Sequence, residues 1–220
     1  MINTKPKLKG KILSLLTAFA MLAAVLPVLP AEVTALAATT ENYGGSAFTV
    51  TTDVTDGCSY ADSLLTISSA GEYTISQTDG TDEATSDTIA ITATNGDVTI
   101  NLAGVNILSS STSPFLIDSS STANVKVVLS NTNTLTATGG DYAGLQKGTG
   151  ENYSLTITSA SGEGSTDGTI TASSGYSGDT GNSGGAGIGG GSGSEGSNIK
   201  ITGGTVTAAG GYGAGTVAAC

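Results

Sequence analysis

Short apolar alternations return along this chain in a fixed order, and that recurrence constrains the fold more than any other feature. Val98-x-Ile100-x-Leu102, Val125-x-Val127-x-Leu129, Leu155-x-Ile157 and Ile199-x-Ile201 form one set. Each is followed by a member of a second set: Val105-x-Ile107, Asn133-x-Leu135, Gly168-Thr169-Ile170-Thr171 and Gly204-Thr205-Val206-Thr207. A third set comprises Phe115-x-Ile117, Ala143-Gly144-Leu145, Ala186-Gly187-Ile188 and Ala214-Gly215-Thr216. A period of two, rich in Thr, Val and Ile and bounded by Gly, Ser, Asn and Asp, is the pattern of short strands between turns. The first-set starts, Val98, Val125, Leu155 and Ile199, lie 27, 30 and 44 residues apart, so insertions enter at corners while strand order persists. One such unit cannot bury its own apolar face, but stacked units can, at about 4.8 Å per strand. The predicted fold is therefore all-β: a right-handed parallel β-helix with three short strands per coil, repeated four times.

The repeats begin only after a different kind of segment. Four of the seven lysines lie in the first 11 residues, followed by an apolar run over 12–29 and the small-residue pattern Ala35-Leu36-Ala37. That order predicts a signal peptide over residues 1–37 and an exported product with no membrane insertion after cleavage. Residues 38–63 read as an N-terminal lead-in or cap, and 64–220 as the β-helix, ending short of a C-terminal cap. Removing four lysines and Glu32 from the totals of 7 basic and 18 acidic residues leaves a net charge of −14 beyond residue 37. Nucleic acid is excluded as a partner by that balance. The sequence contains no His and no Arg, which removes imidazole acid–base chemistry, His-bound zinc and guanidinium clamps. Cys58 and Cys220, far apart in the repeat, are expected to stay unpaired.

Candidate sites are few. The Gly-rich tract holds Gly185-x-Gly187-x-x-Gly190, but no helix follows it to receive a phosphate, and it reads as an elongated corner carrying one tightly turned strand. The acidic turn Asp79, Asp82 and Glu83 is the candidate for a structural calcium ion, which takes oxygen ligands from carboxylates, carbonyls and water. Tyr142, Tyr176 and Tyr212 each follow a Gly-rich turn and are the candidate carbohydrate platform, since exposed rings pack against sugar faces. Asn101, Asn106, Asn124, Asn131 and Asn133 are expected to satisfy backbone groups at strand edges. The Thr-x-Thr pairs, at unequal intervals, are expected not to share one planar lattice, which argues against an ice-binding face.

A resemblance rests on Leu65-Thr-Ile-Ser-Ser-Ala-Gly-Glu-Tyr-Thr-Ile-Ser76, Asp97-Val-Thr-Ile-Asn-Leu-Ala-Gly-Val-Asn-Ile107 and Asn124-Val-Lys-Val-Val-Leu129. These stretches resemble a bacterial family of carbohydrate-binding, adhesin-like surface proteins. The resemblance implies a right-handed parallel β-helix with bound calcium and a polysaccharide partner. The fold so implied is also similar to that of pectate lyases, whose base is an Arg that this chain lacks. The expectation is a monomeric, secreted or cell-surface polysaccharide-binding module without catalysis. The alternatives are a structural stalk or spacer and a lyase-like enzyme.

Overall fold

The computed structural model describes residues 37–77, 83–150, 152–180 and 184–214, and the signal segment predicted over 1–37 lies almost wholly outside them. Alternating Thr, Val and Ile put β-branched side chains on both faces of nearly every segment, and the described residues accordingly form strands and no α-helix. The first strands are β1 (Thr39–Tyr43), β2 (Phe48–Thr52), β3 (Cys58–Ala61), β4 (Leu64–Ile67), β5 (Gly71–Ser76) and β6 (Thr88–Ile91). Next come β7 (Asp97–Ala103), β8 (Asn106–Ser109), β9 (Phe115–Ile117), β10 (Asn124–Ser130), β11 (Thr132–Ala137) and β12 (Leu145–Lys147). The last are β13 (Leu155–Ser159), β14 (Thr169–Ser173), β15 (Ser177–Thr180), β16 (Ile188–Gly189), β17 (Ile199–Ile201), β18 (Thr205–Ala209) and β19 (Gly213–Ala214).

These strands make three principal sheets, ordered β1-β2-β5-β7-β10-β13-β17, β16-β12-β9-β6-β4-β3 and β18-β14-β11-β8, with a small β15-β19 ribbon. From β6 onward the chain visits the six-, seven- and four-stranded sheets in turn and then begins again. Pairing is parallel throughout except at the N-terminal end, where β1–β2, β2–β5 and β3–β4 are antiparallel. The described strands belong to the unit Ala37–Cys220.

Register turns sequence periodicity into a core. Val98, Val125, Leu155 and Ile199 lie opposite one another on successive strands, as do Ile100, Val127, Ile157 and Ile201. On the six-stranded sheet the equivalent column is Leu65, Ile89, Phe115, Leu145 and Ile188. The apolar residues of all three principal sheets join one buried cluster. At roughly 25 cal/mol per Å² of apolar surface removed from water, such stacking is the main driving term. Burial thins towards the last strands, where Ile201 is 52% exposed.

Three details differ from the sequence reading. Phe115 pairs with Leu145, so Ala143 sits two residues ahead of the register; a shift of two keeps the same face inward. Gly213–Ala214 pairs with Ser177–Thr180, while Gly215 and Thr216 of the expected third-set strand lie outside the described residues. Parallel pairing begins with β4 against β6 and β5 against β7. The Gly-rich stretch holds β15 in addition to the expected strands at Thr169 and Ile188, and Gly187 shows why it needs glycine: an added Cβ would lie 2.4 Å from the Ala209 nitrogen.

Candidate functional site: a hydroxyl-lined groove

The outer face of the six-stranded sheet carries a groove of about 380 Å³ over β4, β6 and β9. Alternation fixes its floor. Leu65, Ile89 and Phe115 point into the core, so their neighbours Leu64, Thr66, Thr88, Ala90 and Leu116 face outward, with Leu64 opposite Thr88 and Thr66 opposite Ala90. Ala90 in turn lies opposite Leu116. Ser86 and Ser111–Ser113, from the connections before β6 and β9, add further hydroxyls to the lining, so Thr88 and Ala90 are only 5% and 4% exposed although they sit on an outer face.

The groove is polar but incompletely satisfied. Ser113 Oγ donates to Gln146 Oε1 at 2.6 Å, and Thr92 Oγ1 to the Ile67 carbonyl at 3.4 Å. The Thr88 hydroxyl has no hydrogen-bond partner among the described residues. That hydroxyl is not among the buried side-chain oxygens left without a partner, so it opens into the groove, where water or a ligand can bond it. Leu64, Ala90 and Leu116 provide apolar contact beside it.

Two carboxylates flank this floor. Asp62 precedes the start of β4, and Asp118 follows the end of β9; the strands run parallel, so the two stand at opposite ends of the groove. Asp62 is held in the left-handed region with φ 51°, and Asp118 accepts from the backbone nitrogen and hydroxyl of Ser120 at 2.8 and 2.6 Å. Beneath the core side of β9 and β12, Lys147 continues the column of Ile91 and Ile117 and is fully buried. Its ammonium donates to the carbonyls of Gly148 and Gly150 at 3.3 Å and lies 4.2 Å from the Tyr153 ring centre. Burial lowers the Lys147 pKa, while burial and then the charge of Asp118 raise that of Tyr153.

The residues singled out in the sequence lie elsewhere. Tyr176 and Tyr212 immediately precede Ser177 and Gly213, which pair with each other, and they are 59% and 77% exposed. Tyr142 is half-buried and out of line with them, because the strand partner of Tyr176 is Gly139. Tyr142 stands three residues beyond that position along the chain. Asp79 and Asp82 lie outside the described residues, as does Cys220, and Glu83 is exposed with its carbonyl accepting from Gln77 Nε2 at 2.8 Å. Among the described residues no three of Cys, Asp or Glu form a cluster suited to a metal ion.

Two expectations about hydroxyls and amides meet different outcomes. Asn133 is buried, accepts from the nitrogens of Gly104 and Val105 at 3.0 and 3.1 Å, and donates to the carbonyls of Ser130 and Thr169 at 2.9 and 3.0 Å. That is the backbone-satisfying role. The threonines, by contrast, do share a lattice: Thr132, Thr169 and Thr205 lie in one row of the four-stranded sheet, and Thr134, Thr171 and Thr207 in the next. Unequal sequence intervals are absorbed in the corners, so they do not disturb register on the sheet.

At the N-terminal end, Cys58 is a free thiol, 3.3 Å from the Tyr43 hydroxyl, which donates to Glu41 at 2.6 Å. Tyr60 donates to the buried Asp87 at 2.5 Å, and that bond, with burial, raises the Tyr60 pKa.

No family model, curated protein or solved structure matches the chain.

What sequence reading missed here was β6. Ile89-x-Ile91 repeats the spacing of Leu65-x-Ile67 and Phe115-x-Ile117, and that signal was available, but Thr88 and Ala90 gain significance only once the connections beside them close in.

Proposed function

We propose that this protein is an exported polysaccharide-binding module, built as a right-handed parallel β-helix, whose glycan lies along the groove over β4, β6 and β9. The β-helix reading draws support from the cyclic return of the chain to three parallel sheets and from the right-handedness of parallel crossovers. The glycan reading is carried by one observation above all, a groove floor lined with hydroxyls, on which Thr88 opens to the groove among Thr66, Ser86, Ser111 and Thr112. Sugar hydroxyls are both donors and acceptors and satisfy such a surface, while Leu64, Ala90 and Leu116 accept the apolar edge of a ring.

Affinity electrophoresis through gels containing soluble polysaccharides, paired with pull-down on insoluble cellulose, tests the reading. Retardation on at least one glycan is expected, with loss in Ala90→Phe, which fills the floor, and weakening in Ser111→Trp at the exposed rim, both with unchanged melting temperature. Absence of binding to every glycan, or full binding by both folded variants, overturns it. A second location for the same function is favoured by the exposed rings of Tyr176 and Tyr212 on neighbouring strands. There, Tyr176→Ala and Tyr212→Ala abolish retardation and the groove variants do not.

A further inference from the structure

The two ends of the groove carry carboxylates, and nothing in its lining carries a positive charge. Among the described residues the cations are Lys126, Lys147 and Lys200. Lys126 and Lys200 stand on the outer face of the seven-stranded sheet, each opposite Thr156, and Lys147 is buried in the core. The acidic excess of the chain is therefore not offset at the groove, and a polyanion such as a polyuronate meets repulsion along its length.

Asp62 and Asp118 differ in availability. The Asp62 side chain is exposed at a tight turn. Asp118 spends one carboxylate oxygen on Ser120 and leaves the other without a partner among the described residues. Between them the Thr88 hydroxyl and its neighbours offer donors and acceptors together along the groove.

We infer that the groove selects a polysaccharide bearing free amino groups, its ammonium groups reaching Asp62 and Asp118 while its hydroxyls bond the Thr88 floor. This rests on the glycan reading above and adds the charge of the ligand. An ammonium donates three hydrogen bonds and complements a carboxylate, whereas the N-acetylated sugar presents a neutral amide in the same position.

The experiment measures binding of the purified protein to chitosan, to its N-acetylated counterpart and to polygalacturonate, in low and high salt at a pH where the amines are protonated. Chitosan is expected to bind tightest, to weaken in high salt, and to lose about tenfold in affinity in the double variant Asp62→Asn, Asp118→Asn, as two partly exposed charge contacts predict. Ala90→Phe is expected to abolish chitosan binding, which separates groove binding from general attraction to an acidic protein. A folded double variant that binds chitosan as well as the parent overturns the inference. Equal or tighter binding of the acetylated polymer or of polygalacturonate overturns it too while leaving the glycan reading intact; loss of all binding removes both.

Discussion

Asn133 and Thr158 are opposite answers to the same demand, that a buried polar group find a partner. Asn133 stands between Val105 and Ile170 in an otherwise apolar column, and four backbone groups depend on its amide. Asn133→Ala leaves those groups unpaired, and an unfolding free energy lower by about 3 kcal/mol or more is expected from urea titration. Thr158 is buried with its hydroxyl unsatisfied. Thr158→Val removes that hydroxyl at nearly constant shape, so the same titration should show stability unchanged or raised by about 1 kcal/mol. A loss comparable to that of Asn133→Ala would mean the hydroxyl has a partner. The Asn133 role was legible in the sequence because a single Asn interrupts an apolar repeat. The Thr158 hydroxyl was not, since Thr156-x-Thr158 looks like any outward pair.

At the scale of elements, close stacking is set by glycine. Gly139, Gly175 and Gly211 recur before β12, β15 and β19; a Cβ on Gly175 would lie 2.1 Å from the Thr138 carbonyl oxygen, and one on Gly211 2.0 Å from that of Gly175. Backbone cannot yield as a side-chain tip can, so Gly175→Ala is expected to cost about 1–3 kcal/mol in thermal or urea unfolding. Gly148→Ala, with nothing within 4 Å of its Cβ, should stay within about 0.5 kcal/mol of the parent. Equal effects at the two positions would contradict the stacking. The N-terminal antiparallel strands respond to pH instead. Burial, aided by the nearby Cys58 and Asp53, raises Tyr73 to about 12, and burial with the Cys58 and Glu41 contacts raises Tyr43 well above its ordinary value. Because the folded state holds these protons more tightly, the unfolded state releases them first above pH 10, and stability falls as pH rises. Tyr73→Phe, which also gives up hydrogen bonds to the Gly57 and Ser69 carbonyls, should make the fall in urea midpoint above pH 10 shallower than in the parent. An unchanged slope would remove Tyr73 from the account.

For the whole molecule, strand succession was readable because inward side chains repeat in kind: Val98, Val125, Leu155 and Ile199 announce one column before any coordinates exist. The groove was not readable, because it is made by connections. Ser86 and Ser111 look like ordinary turn residues, and only the closing in of their loops turns Thr88 and Ala90 from an outer strand face into a floor. Tyrosine was a signal strong enough to attract attention to a corner, while hydroxyls common to every strand carried no contrast. Hydrogen exchange of the protein with and without a saturating glycan decides between the two places. The account predicts added protection concentrated in Ser86–Ala90 and Ser111–Leu116; protection confined to the strands around Tyr176 and Tyr212, or none anywhere at saturation, contradicts it.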